Sequence, residues 1–587
     1  MSEKTFQDPE ERRGTLGIDA PLEKKNKVEH LKTVSHGLRG DVFKEMTDPN
    51  LPEVSEESYQ LMKHFGMYQQ DDRDTRIERK RAGLDKDFSF MVRTKVPGGR
   101  LTADQYLILD DCATKFSKGS IRLTTRQTIQ FHGIGKEKLQ GLSRELNTRL
   151  LTTYGACGDV VRNVMSCPVI DLDPRPEWAG RDVFIELSRQ ISDRTLPRTT
   201  AFYDIFIDGE RNQEGVPIIN LRDPNEDLYG ETYMPRKFKI GVTTPGDNCI
   251  DVFTQDLGLI ALTKDGEVTG YNIVAGGGLG HSHSNKATYP RLATNIAYVH
   301  RDDILAAVDA VITVQRDYGN RTDRKQARLK YLLDAVGETW YREEMSRRMG
   351  IELAPARPID DSAWKYDDHL GWHAQRQPGL MYVGIFIENG RIIDAPGRPA
   401  RTILRRIVEK FRPEVRLTGQ QNILLANVSE KCQAEISAML ADTGLAVNVN
   451  GKLSEIRRHE IACVALPTCG LALAESERAM PVFIDKLEEL GLGHERISIR
   501  MSGCPNSCSR PESAEIGLIG CAPGKYNLYL GGDFEGTRLN KLFKERMLFE
   551  DVPPEIARLV GRWRAERQPD EAFGDWTHRL GLEALKA

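Results

Sequence analysis

Several features that are common in membrane, secreted and nucleic-acid-binding proteins are missing from this chain of 587 residues. It has no apolar run long enough to span a bilayer. Its first residues, MSEKTFQDPEERRG, are charged and polar where a secretory signal would be apolar. The formal net charge is only −4, which argues against a general nucleic-acid binder. The sequence therefore predicts a cytoplasmic protein that binds neither membrane nor nucleic acid.

Cysteine is scarce, with ten residues in the whole chain. That density is too low for a fold stapled by disulfides, and in a reducing compartment paired thiols indicate metal or redox use. A convincing glycine-rich nucleotide fingerprint is also missing, because GGGLGHS (276–282) does not have the pattern G-x-G-x-x-G. We therefore expect that the chain does not bind NADPH itself.

An internal repeat organises the chain, whose length is too great for one hydrophobic core. Each copy contains an alternating apolar strand, a Gly-Arg turn, a helix-like spacer and a second strand. The copies are FSFMVRTKVPGGRL with GSIRLTTRQTIQFHGI (88–101 and 119–134) and GLMYVGIFIENGRI with PEVRLTGQQNILLANV (379–392 and 413–428). In this alignment Arg122 matches Arg416, and Arg93 falls opposite Gly384.

A second pair of similar segments follows further along the chain. DLGLIALTKDGEVTGYNIVAGGG (256–278) is similar to EIGLIGCAPGKYNLYLGGD (515–533). Just upstream, TTPGDNC (243–249) stands where SGCPNSC (502–508) stands in the later copy. Two pairs in the same order predict two pseudo-equivalent halves, and strands interspersed with helical segments such as 301–319 predict an α+β fold.

The cysteine pattern is the clearest sign of chemistry in the sequence. Cys463 and Cys469 are spaced C-x5-C, and after 34 further residues Cys504 and Cys508 are spaced C-x3-C. Zinc prefers tighter knuckles, whereas an iron–sulfur cluster accepts looser spacing. The pattern favours an iron–sulfur cluster, with zinc or unbound buried cysteines as alternatives. The other six are predicted to be small apolar core residues rather than ligands; they are Cys112, Cys157, Cys167, Cys249, Cys432 and Cys521.

At these motifs the chain resembles the sulfite and nitrite reductases that carry sirohaem and a 4Fe–4S cluster. The resemblance rests first on ACVALPTCGLALAESER (462–478) and MSGCPNSCSRP (501–511). Further similar segments are RLTTRQTIQFHGI, YMPRKFKIGV, DLGLIAL and GGGLGHSHSNKATYPRLA. The similarity extends from about Lys27 to Glu545, and HFGMYQQDDRD and PRKFKIG are most similar to the haemoprotein (β) subunits of assimilatory sulfite reductases.

The resemblance implies an internally duplicated fold with ferredoxin-like repeat halves and two pseudo-equivalent cofactor-binding α/β domains. The expected domains are an N-terminal arm (1–85), a first ferredoxin-like half (86–150), a cofactor and substrate domain that carries Lys237 and Lys239 (151–350), a second ferredoxin-like half (375–446) and an iron–sulfur and sirohaem domain (447–587).

The resemblance also implies which residues hold the cofactors. The cluster ligands would be Cys463, Cys469, Cys504 and Cys508, and Cys508 would bridge the cluster to the sirohaem iron. Sirohaem carries many carboxylates, whose burial requires fixed cations and hydrogen-bond donors. The candidates for that role are Arg122, Thr124, Thr125, Arg126, Gln130, His132, Asn285, Lys286 and Arg291. On one strand, the even-numbered members from 122 to 132 would share a face.

The implied reaction is the six-electron reduction of sulfite to sulfide, and reduction of nitrite to ammonia is the alternative. A small oxyanion needs converging positive charge and proton donors. The residues that match the family's anion-binding positions are Arg93, Arg162, Lys237 and Lys239. Electrons would come from a flavoprotein reductase subunit or, alternatively, from ferredoxin. A non-catalytic zinc or iron–sulfur scaffold protein is the remaining alternative and would show no haem absorption.

Overall fold

The structure is a computed structural model that describes residues 6–175, 183–208, 225–441, 443, 445 and 453–586. In these residues the chain forms four five-stranded sheets with helices packed around them. The predicted domain boundary between residues 446 and 447 lies outside the described residues. No helix within the described ranges is long and apolar enough to cross a membrane.

Short strands and helices alternate along the chain. The strands are β1 Met67–Asp71, β2 Phe88–Arg93, β3 Arg100–Leu101, β4 Ile121–Leu123, β5 Ile129–Ile134, β6 Met165–Ser166, β7 Ile240–Thr243, β8 Leu257–Lys264, β9 Glu267–Ala275, β10 Thr294–His300, β11 Gly371–Ala374, β12 Leu380–Ile385, β13 Arg391–Ile392, β14 Glu414–Leu417, β15 Ile423–Ser429, β16 Glu460–Ala462, β17 Ile499–Ser502, β18 Ile516–Ala522, β19 Lys525–Leu530 and β20 Lys541–Leu548.

The α-helices in the described residues are mostly short. They are α1 Pro9–Thr15, α2 Lys27–Val34, α3 Val42–Thr47, α4 Glu56–Met62, α5 Arg76–Arg81, α6 Ala103–Phe116, α7 Leu139–Asn147, α8 Val183–Arg194, α9 Ile304–Tyr318, α10 Leu329–Val336, α11 Glu338–Met349, α12 Ala400–Phe411, α13 Gln433–Leu440, α14 Glu455–Arg458, α15 Ala479–Glu489, α16 Val552–Glu566, α17 Phe573–Leu580 and α18 Leu582–Lys586.

The two copies of the first repeat form two antiparallel sheets that exchange an edge strand. Their strand orders are β1-β2-β5-β4-β13 and β11-β12-β15-β14-β3. Because β3 pairs with β14 and β13 pairs with β4, each sheet borrows its last strand from the other copy. Helix α6, which begins with a capping box at Thr102 and Gln105, contacts β3, β4 and β14 and so lies across both sheets. The exchange covers an edge of each sheet and locks the two halves together.

Strand pairing extends the repeat further toward the N-terminus than the sequence comparison did. Met67 in β1 lies opposite Val92, and Trp372 in β11 lies opposite Val383. Since Val92 and Val383 are equivalent in the repeat, the segments HFGMYQQ (64–70) and HLGWHAQ (369–375) are equivalent as well. Each copy therefore begins with a His-x-Gly segment ahead of its first strand.

The other two sheets are a second pseudo-equivalent pair. Their orders are β10-β9-β8-β7-β6 and β16-β17-β18-β19-β20. In one sheet β6, β7 and β8 run parallel and β9 and β10 pair antiparallel. In the other, β16, β17 and β18 run parallel and β19 and β20 pair antiparallel. Met165 lies opposite Gly241, and Ile461 lies opposite Arg500. The predicted α+β class and the internal duplication are confirmed.

One apolar core runs through both antiparallel sheets and the β6–β10 sheet, and a separate core lies in the β16–β20 sheet with α15, α16 and α17. The N-terminal segment is more structured than its polar sequence indicated, because Leu38, Val42, Leu61 and Phe65 are fully buried in the large core. Burial of a few apolar side chains per helix is enough to dock such short helices.

The prediction that residues 122–132 form one strand is wrong. They form a hairpin in which β4 and β5 flank a turn over residues 124–128, closed by the Thr124 and Thr128 hydroxyl groups at 2.8 Å and by a positive φ of 54° at Gln127. The predicted shared face survives in part, because Arg122 lies directly opposite Gln130 across the hairpin. Opposed residues in an antiparallel pair point to the same side of the sheet.

Candidate active site and cofactor site

The two loops that carry the cysteine motif leave the same edge of the β16–β20 sheet. Cys463 directly follows β16, and Cys504 lies two residues after β17, the parallel neighbour of β16. Because neighbouring parallel strands end at one edge, their loops lie side by side. Cys469 and Cys508 come later in the same two loops, so the fold brings all four cysteines of the motif to one place.

The four thiols are close enough to influence one another's ionisation. Burial and then the neighbouring Cys508 raise the pKa of Cys463 to about 12, and the same two causes raise the pKa of Cys504 to about 12. Burial and Cys508 also raise the pKa of Cys469. Four mutually repelling thiolates need a positively charged centre to be ionised together.

Two nitrogen donors and the spacing of the sulfur atoms indicate what kind of centre fits. The Gly503 N–H donates to Cys463 Sγ (3.3 Å), and the Asn506 side chain donates to Cys504 Sγ (3.5 Å). In the described residues, one group of three or more possible metal ligands has its ligand atoms within 4.8 Å of one another, and that group includes none of these four cysteines. No three of these four sulfur atoms lie within 4.8 Å of one another in the described residues, and an iron–sulfur cluster accepts wider ligand spacing than a single zinc ion does.

Cys508 is the exposed member of the four, and its loop is fixed from several sides. Thr125 Oγ1 donates to the Cys508 carbonyl (2.9 Å). Two residues later, Arg510 donates to the Asp251 carboxylate (2.5 Å) and to the carbonyls of Thr125 and Gly419 (both 2.9 Å). These contacts join both antiparallel sheets and the β6–β10 layer at Cys508, so the position of its sulfur is set by the whole fold.

Two predicted cations, Arg93 and Lys237, lie near enough to Cys508 to interact with its thiol. Arg162 and Lys239 are neighbours of Lys237. Burial, and then Arg328 and Arg236, lower the pKa of Lys237 to about 7, while the Cys508 thiol acts in the opposite direction. Burial and then Lys237 lower the pKa of Lys239 well below its usual value. The two lysines do not lie within a regular strand, since β7 begins only at Ile240, and Phe238 between them forms a single bridge with Val161.

Arg93 and Arg162 are held in place by neighbours that leave them charged. The Arg93 Nη1 donates to Cys157 Sγ (3.2 Å). Gln130, opposite Arg93 in β5, accepts from Arg93 Nε (3.0 Å) when its amide oxygen faces the guanidinium group. Arg162 Nε donates to the Gly158 carbonyl (2.9 Å). These partners are neutral, so they orient the two cations without cancelling the charge that an oxyanion would meet.

Near these cations, some buried hydrogen-bond donors have no acceptor in the described part of the chain. Burial and then Arg162 lower the pKa of Arg126 to about 9, and its Nε is buried without a partner in the described part of the chain. Both ring nitrogens of His132 are also buried without a partner there. Burial and then Arg391 lower the pKa of His132 well below its usual value, so its ring is neutral. Such a lining fits a group with many carboxylates, as sirohaem has.

Two predicted cofactor contacts on the hairpin have protein partners instead. Arg122 Nε forms an ion pair with Glu477 (2.7 Å) and its Nη2 donates to the Ala462 carbonyl (3.1 Å), so it binds the segment around Cys463. Thr124 shapes the hairpin turn, where its Oγ1 accepts from the Arg126 N–H (3.2 Å). Both residues position the site rather than line it.

The predicted residues from HSNKATYPR lie in the loop between β9 and β10, whose His281 N–H donates to the Pro505 carbonyl of the second cysteine loop (2.8 Å). Asn285 caps a turn by accepting from the Ala287 N–H (3.0 Å), Lys286 is exposed, and Arg291 pairs with Asp334 (3.0 Å). The same loop approaches the cysteine motif at Gly280, where a side-chain carbon would lie 3.2 Å from the Asn506 carbonyl oxygen. These three residues are thus not brought to the cations around Cys508 by the contacts they make.

Several basic residues at the site escaped the sequence analysis. Arg73 Nη1 donates to the Ala472 carbonyl (2.6 Å), so the N-terminal segment holds the loop that carries Cys469. Lys330 donates to the Gly278 and Gly280 carbonyls (2.9 and 3.0 Å) and fastens the GGGLGHS loop. Arg236 adjoins Lys237 in PRKFKIG, a signal that was available. Nothing local in the sequence marks Arg73 or Lys330, because their partners are distant in the chain.

Two family models match the chain. The nitrite and sulphite reductase 4Fe-4S domain matches residues 157–353. The nitrite/sulfite reductase ferredoxin-like half domain matches twice, over residues 82–149 and 373–443. The double match corresponds to the two copies of the first repeat and confirms that they are ferredoxin-like halves.

Curated relatives match along nearly the whole chain. The sulfite reductase (NADPH) hemoprotein beta-component of Geobacillus kaustophilus is 42% identical over 569 residues, which cover 96% of this chain and 97% of the relative. A protein of the same name from Chromohalobacter salexigens is 42% identical over 571 residues, with the same shares covered. Among solved structures, the Mycobacterium tuberculosis NirA protein has a TM-score of 0.75 at 23% identity, covering 98% of this chain and 100% of NirA, and so has the same fold.

Proposed function

The chain belongs to the nitrite and sulfite reductase family, and we propose that it is the haemoprotein subunit of an assimilatory sulfite reductase. Its reaction is the reduction of sulfite to sulfide, in which sulfur passes from S(IV) to S(−II) by taking up six electrons together with protons. The observation that carries the proposal is that Arg93 and Lys237 lie near the exposed Cys508, with Arg162 and Lys239 next to Lys237. The names of the 42%-identical relatives specify the same activity.

The cysteine loops would hold the cofactors. Cys463, Cys469, Cys504 and Cys508 are the proposed ligands of the 4Fe–4S cluster. Cys508 suits the further role of a sulfur shared with the sirohaem iron, because it is exposed and its carbonyl is fixed by Thr125 (2.9 Å). When bound, the cluster and sirohaem would relay the electrons that a donor protein supplies and would provide the redox chemistry at sulfur.

The sirohaem carboxylates would be neutralised by the unused donors that line the site. Arg126 Nε and the N–H of the neutral His132 ring have no partner in the described residues and are buried, so each gains a hydrogen bond when a carboxylate arrives. Thr125 and Gln130 lie beside them and fix Cys508 and Arg93, respectively. Asn285, Lys286 and Arg291 are proposed to contact sirohaem from the loop that approaches Asn506.

Sulfite would be bound by the arginines and protonated by the lysines. Each guanidinium group can fork two hydrogen bonds to an oxyanion, so Arg93 and Arg162 would orient the substrate. The Nζ atoms of Lys237 and Lys239 would donate protons as S–O bonds break. Because an incoming anion raises the pKa of a nearby ammonium group, substrate binding itself would load these lysines with the protons that the reaction needs.

Electrons would reach this chain from another protein. We propose a flavoprotein reductase subunit as the donor, since the relatives at 42% identity are NADPH-linked by name and this chain has no convincing nucleotide fingerprint. Ferredoxin is the alternative donor. We also propose a cytoplasmic location, because all ten cysteines are free thiols, as a reducing compartment would keep them.

The holoprotein itself provides the test. We expect haem absorption, about five irons and about four acid-labile sulfides per chain. Reduced methyl viologen should drive sulfite reduction, NADPH alone should not, and the specific activity with sulfite should exceed that with nitrite under matched conditions. Absence of haem absorption would mean a scaffold protein, a higher activity with nitrite would mean a nitrite reductase, and turnover with NADPH alone would exclude a separate donor.

A further inference from the structure

A second group of metal-ligating side chains lies outside the proposed active site. It consists of Cys167, Asp247, Cys249 and His369, all of them at most 1% exposed. Their ligand atoms all lie within 4.8 Å of one another. Cys167 Sγ is 2.7 Å from Asp247 Oδ2, which is 3.5 Å from His369 Nε2, and Cys167 Sγ is 3.9 Å from the same His369 nitrogen. We call these four residues the buried Cys–Asp–His group.

The duplication places this group where the cysteine motif stands in the other half. Met165 pairs with Gly241 as Ile461 pairs with Arg500, so Cys167 after β6 is equivalent to Cys463 after β16. Cys249 is equivalent to Cys508, because each stands eight residues before the next strand, β8 or β18. Two cysteines of the buried Cys–Asp–His group thus stand at positions equivalent to those of the cysteine motif. From the sequence, Cys167 and Cys249 were predicted to be isolated core residues.

The chemistry of the group fits one particular ion. Two thiolates, one imidazole nitrogen and one carboxylate oxygen are the ligand types that zinc takes in tetrahedral sites. Ligand atoms around tetrahedral zinc are about 3.3–3.8 Å apart, and the 3.5 and 3.9 Å separations from His369 Nε2 are close to this range. The 2.7 Å between Cys167 Sγ and Asp247 Oδ2 is a thiol hydrogen bond, which would lengthen when zinc replaces its proton. The other ring nitrogen, Nδ1, lies 3.8 Å from the Asp367 carboxylate, which is longer than a hydrogen bond, so Asp367 would have to move slightly closer to orient a histidine ligand.

Charge points the same way. Asp247 is fully buried, and the ion pair within 4.0 Å that it makes in the described residues is with His369 rather than with a lysine or an arginine. In the free protein Asp247 also accepts hydrogen bonds from the Cys167 thiol and the Cys249 N–H (both 2.7 Å), and a zinc ion would replace the thiol and histidine protons as the positive partner of this carboxylate. We propose that the buried Cys–Asp–His group binds a structural zinc ion, which goes beyond the proposed reductase activity.

Zinc in this position would tie together three segments of the chain. Cys167 directly follows β6, Asp247 and Cys249 belong to the loop before β8, and His369 precedes β11 of the second ferredoxin-like half. Near the group, Gln420 already donates to the Cys249 carbonyl (2.9 Å). On binding, the two thiols release their protons and the histidine binds in its neutral form, so affinity falls at acid pH.

The test is element-selective and independent of activity. Holoprotein from zinc-supplemented cells, purified without chelators, should contain about one zinc per chain in addition to its iron. X-ray absorption at the zinc edge should show two sulfur ligands at about 2.3 Å and two nitrogen or oxygen ligands at about 2.0 Å. Iron in the cluster and in sirohaem does not contribute at that edge, so the measurement reports the proposed site alone.

Variants assign the ion to these residues. Cys249→Ser should lose most of the zinc or reduce the sulfur ligands from two to one, and Asp247→Asn should weaken zinc retention during dialysis against a chelator. Cys432→Ser, a half-buried cysteine outside both groups, should leave zinc content and ligands unchanged. If Cys249→Ser does not fold, the wild-type absorption spectrum still decides.

Three results would overturn the proposal. They are wild-type holoprotein with no zinc, zinc that has only nitrogen and oxygen ligands, and a Cys167–Cys249 disulfide in the mass spectrum of the alkylated native protein. None of these results depends on whether the chain reduces sulfite, and loss of sulfite reduction would leave the zinc measurement intact.

Discussion

Residues 243–249 leave β7 in the same way that residues 502–508 leave β17. Each loop leads to a residue with positive φ, Asp251 at 48° or Arg510 at 60°, then to one turn of 3₁₀-helix and then to the next strand. The first loop buries its cysteine completely, whereas the second exposes Cys508. The two loops therefore share one backbone conformation but differ in the exposure of their cysteine, and this difference comes from their side chains and from the residues that pack over them.

The two loops also bind each other at equivalent positions. Arg510 Nε lies 2.5 Å from Asp251 Oδ2, and Arg500 Nη1 lies 3.0 Å from the same oxygen. All three side chains are nearly inaccessible to solvent. Removal of one partner from such a pair leaves a buried charge, which typically costs about 3–5 kcal/mol. Opposite charges at equivalent positions thus hold the two layers in register around Cys508.

A similar contrast separates the two ferredoxin-like halves. Arg93 stands in β2, and its equivalent in β12 is Gly384. A side-chain carbon at Gly384 would lie 1.9 Å from the His369 carbonyl oxygen, so the second half has no room for an arginine there. The first ferredoxin-like half supplies Arg93, the β6–β10 layer supplies Arg162, Lys237 and Lys239, and the β16–β20 layer supplies the cysteines, so the proposed active site requires all three.

The largest expected effect comes from removing the exposed cysteine of the second loop. Cys508→Ser should lose the sirohaem and cluster absorption together with sulfite reduction, because one exposed sulfur is proposed to serve both cofactors. Cys432→Ser should change neither. The measurements are the visible spectrum, iron and acid-labile sulfide content, and methyl viologen-driven activity. A Cys508→Ser protein with a normal spectrum and full turnover would refute the shared-ligand assignment.

Lys239→Met should lower kcat for sulfite by about 10²–10⁴-fold while the cofactor spectrum stays normal. Methionine fills similar space but supplies no proton, and the lysine is not a proposed ligand. Lys264→Met, at the exposed end of β8, is the matched control and should behave like wild type. Steady-state kinetics on cofactor-replete protein give the answer, and an unchanged kcat in Lys239→Met would make Lys239 an ordinary buried lysine.

Arg93→Ala should act mainly on substrate binding, because its attraction for the oxyanion exists before any bond breaks. Loss of a charge-assisted hydrogen bond predicts a rise in KM for sulfite of about 10- to 100-fold, with a smaller change in kcat. Arg100→Ala is the control, because Arg100 lies in the same half as Arg93 and its half-exposed side chain pairs with Glu414 in β14. Equal losses in kcat and kcat/KM with an unchanged KM would show that Arg93 acts only in the transition state.

Much of the fold and of the candidate site could be predicted from local sequence. The repeat was visible because each copy keeps its alternating strands and its Gly-Arg turn, and the four cysteines were visible because their loops are short and rich in turn residues. The hairpin at 122–132 was missed because the positive φ falls on Gln127, which carries no glycine signal. Alternation then runs on across the turn and imitates a single strand.

Other parts could not be predicted because packing, not local pattern, decides them. Arg122 was expected to face sirohaem, but Glu477, 355 residues away, captures it. Cys167 and Cys249 looked isolated because 81 residues separate them from one another, and their shared surroundings arise only from the pairing of β6 with β7. Long-range contacts of this kind are fixed by the fold and leave no mark at short sequence spacing.

The smallest expected effect is a shift in pH dependence that distinguishes Lys237 from its arginine neighbours. Burial lowers the pKa of Lys237 to about 7, so its ammonium form is lost as pH rises through that value. The cofactor carboxylates raise this pKa, and kcat/KM for sulfite, which reports the free enzyme, should therefore fall on the alkaline side of about pH 7. Arginine keeps its proton throughout, so Lys237→Arg should move that fall to higher pH. Sulfite changes its own protonation near neutral pH, and it does so equally for both proteins, so the displacement between the two profiles isolates the lysine. Superimposable profiles with normal cofactor content would show that Lys237 supplies neither charge nor protons to the substrate.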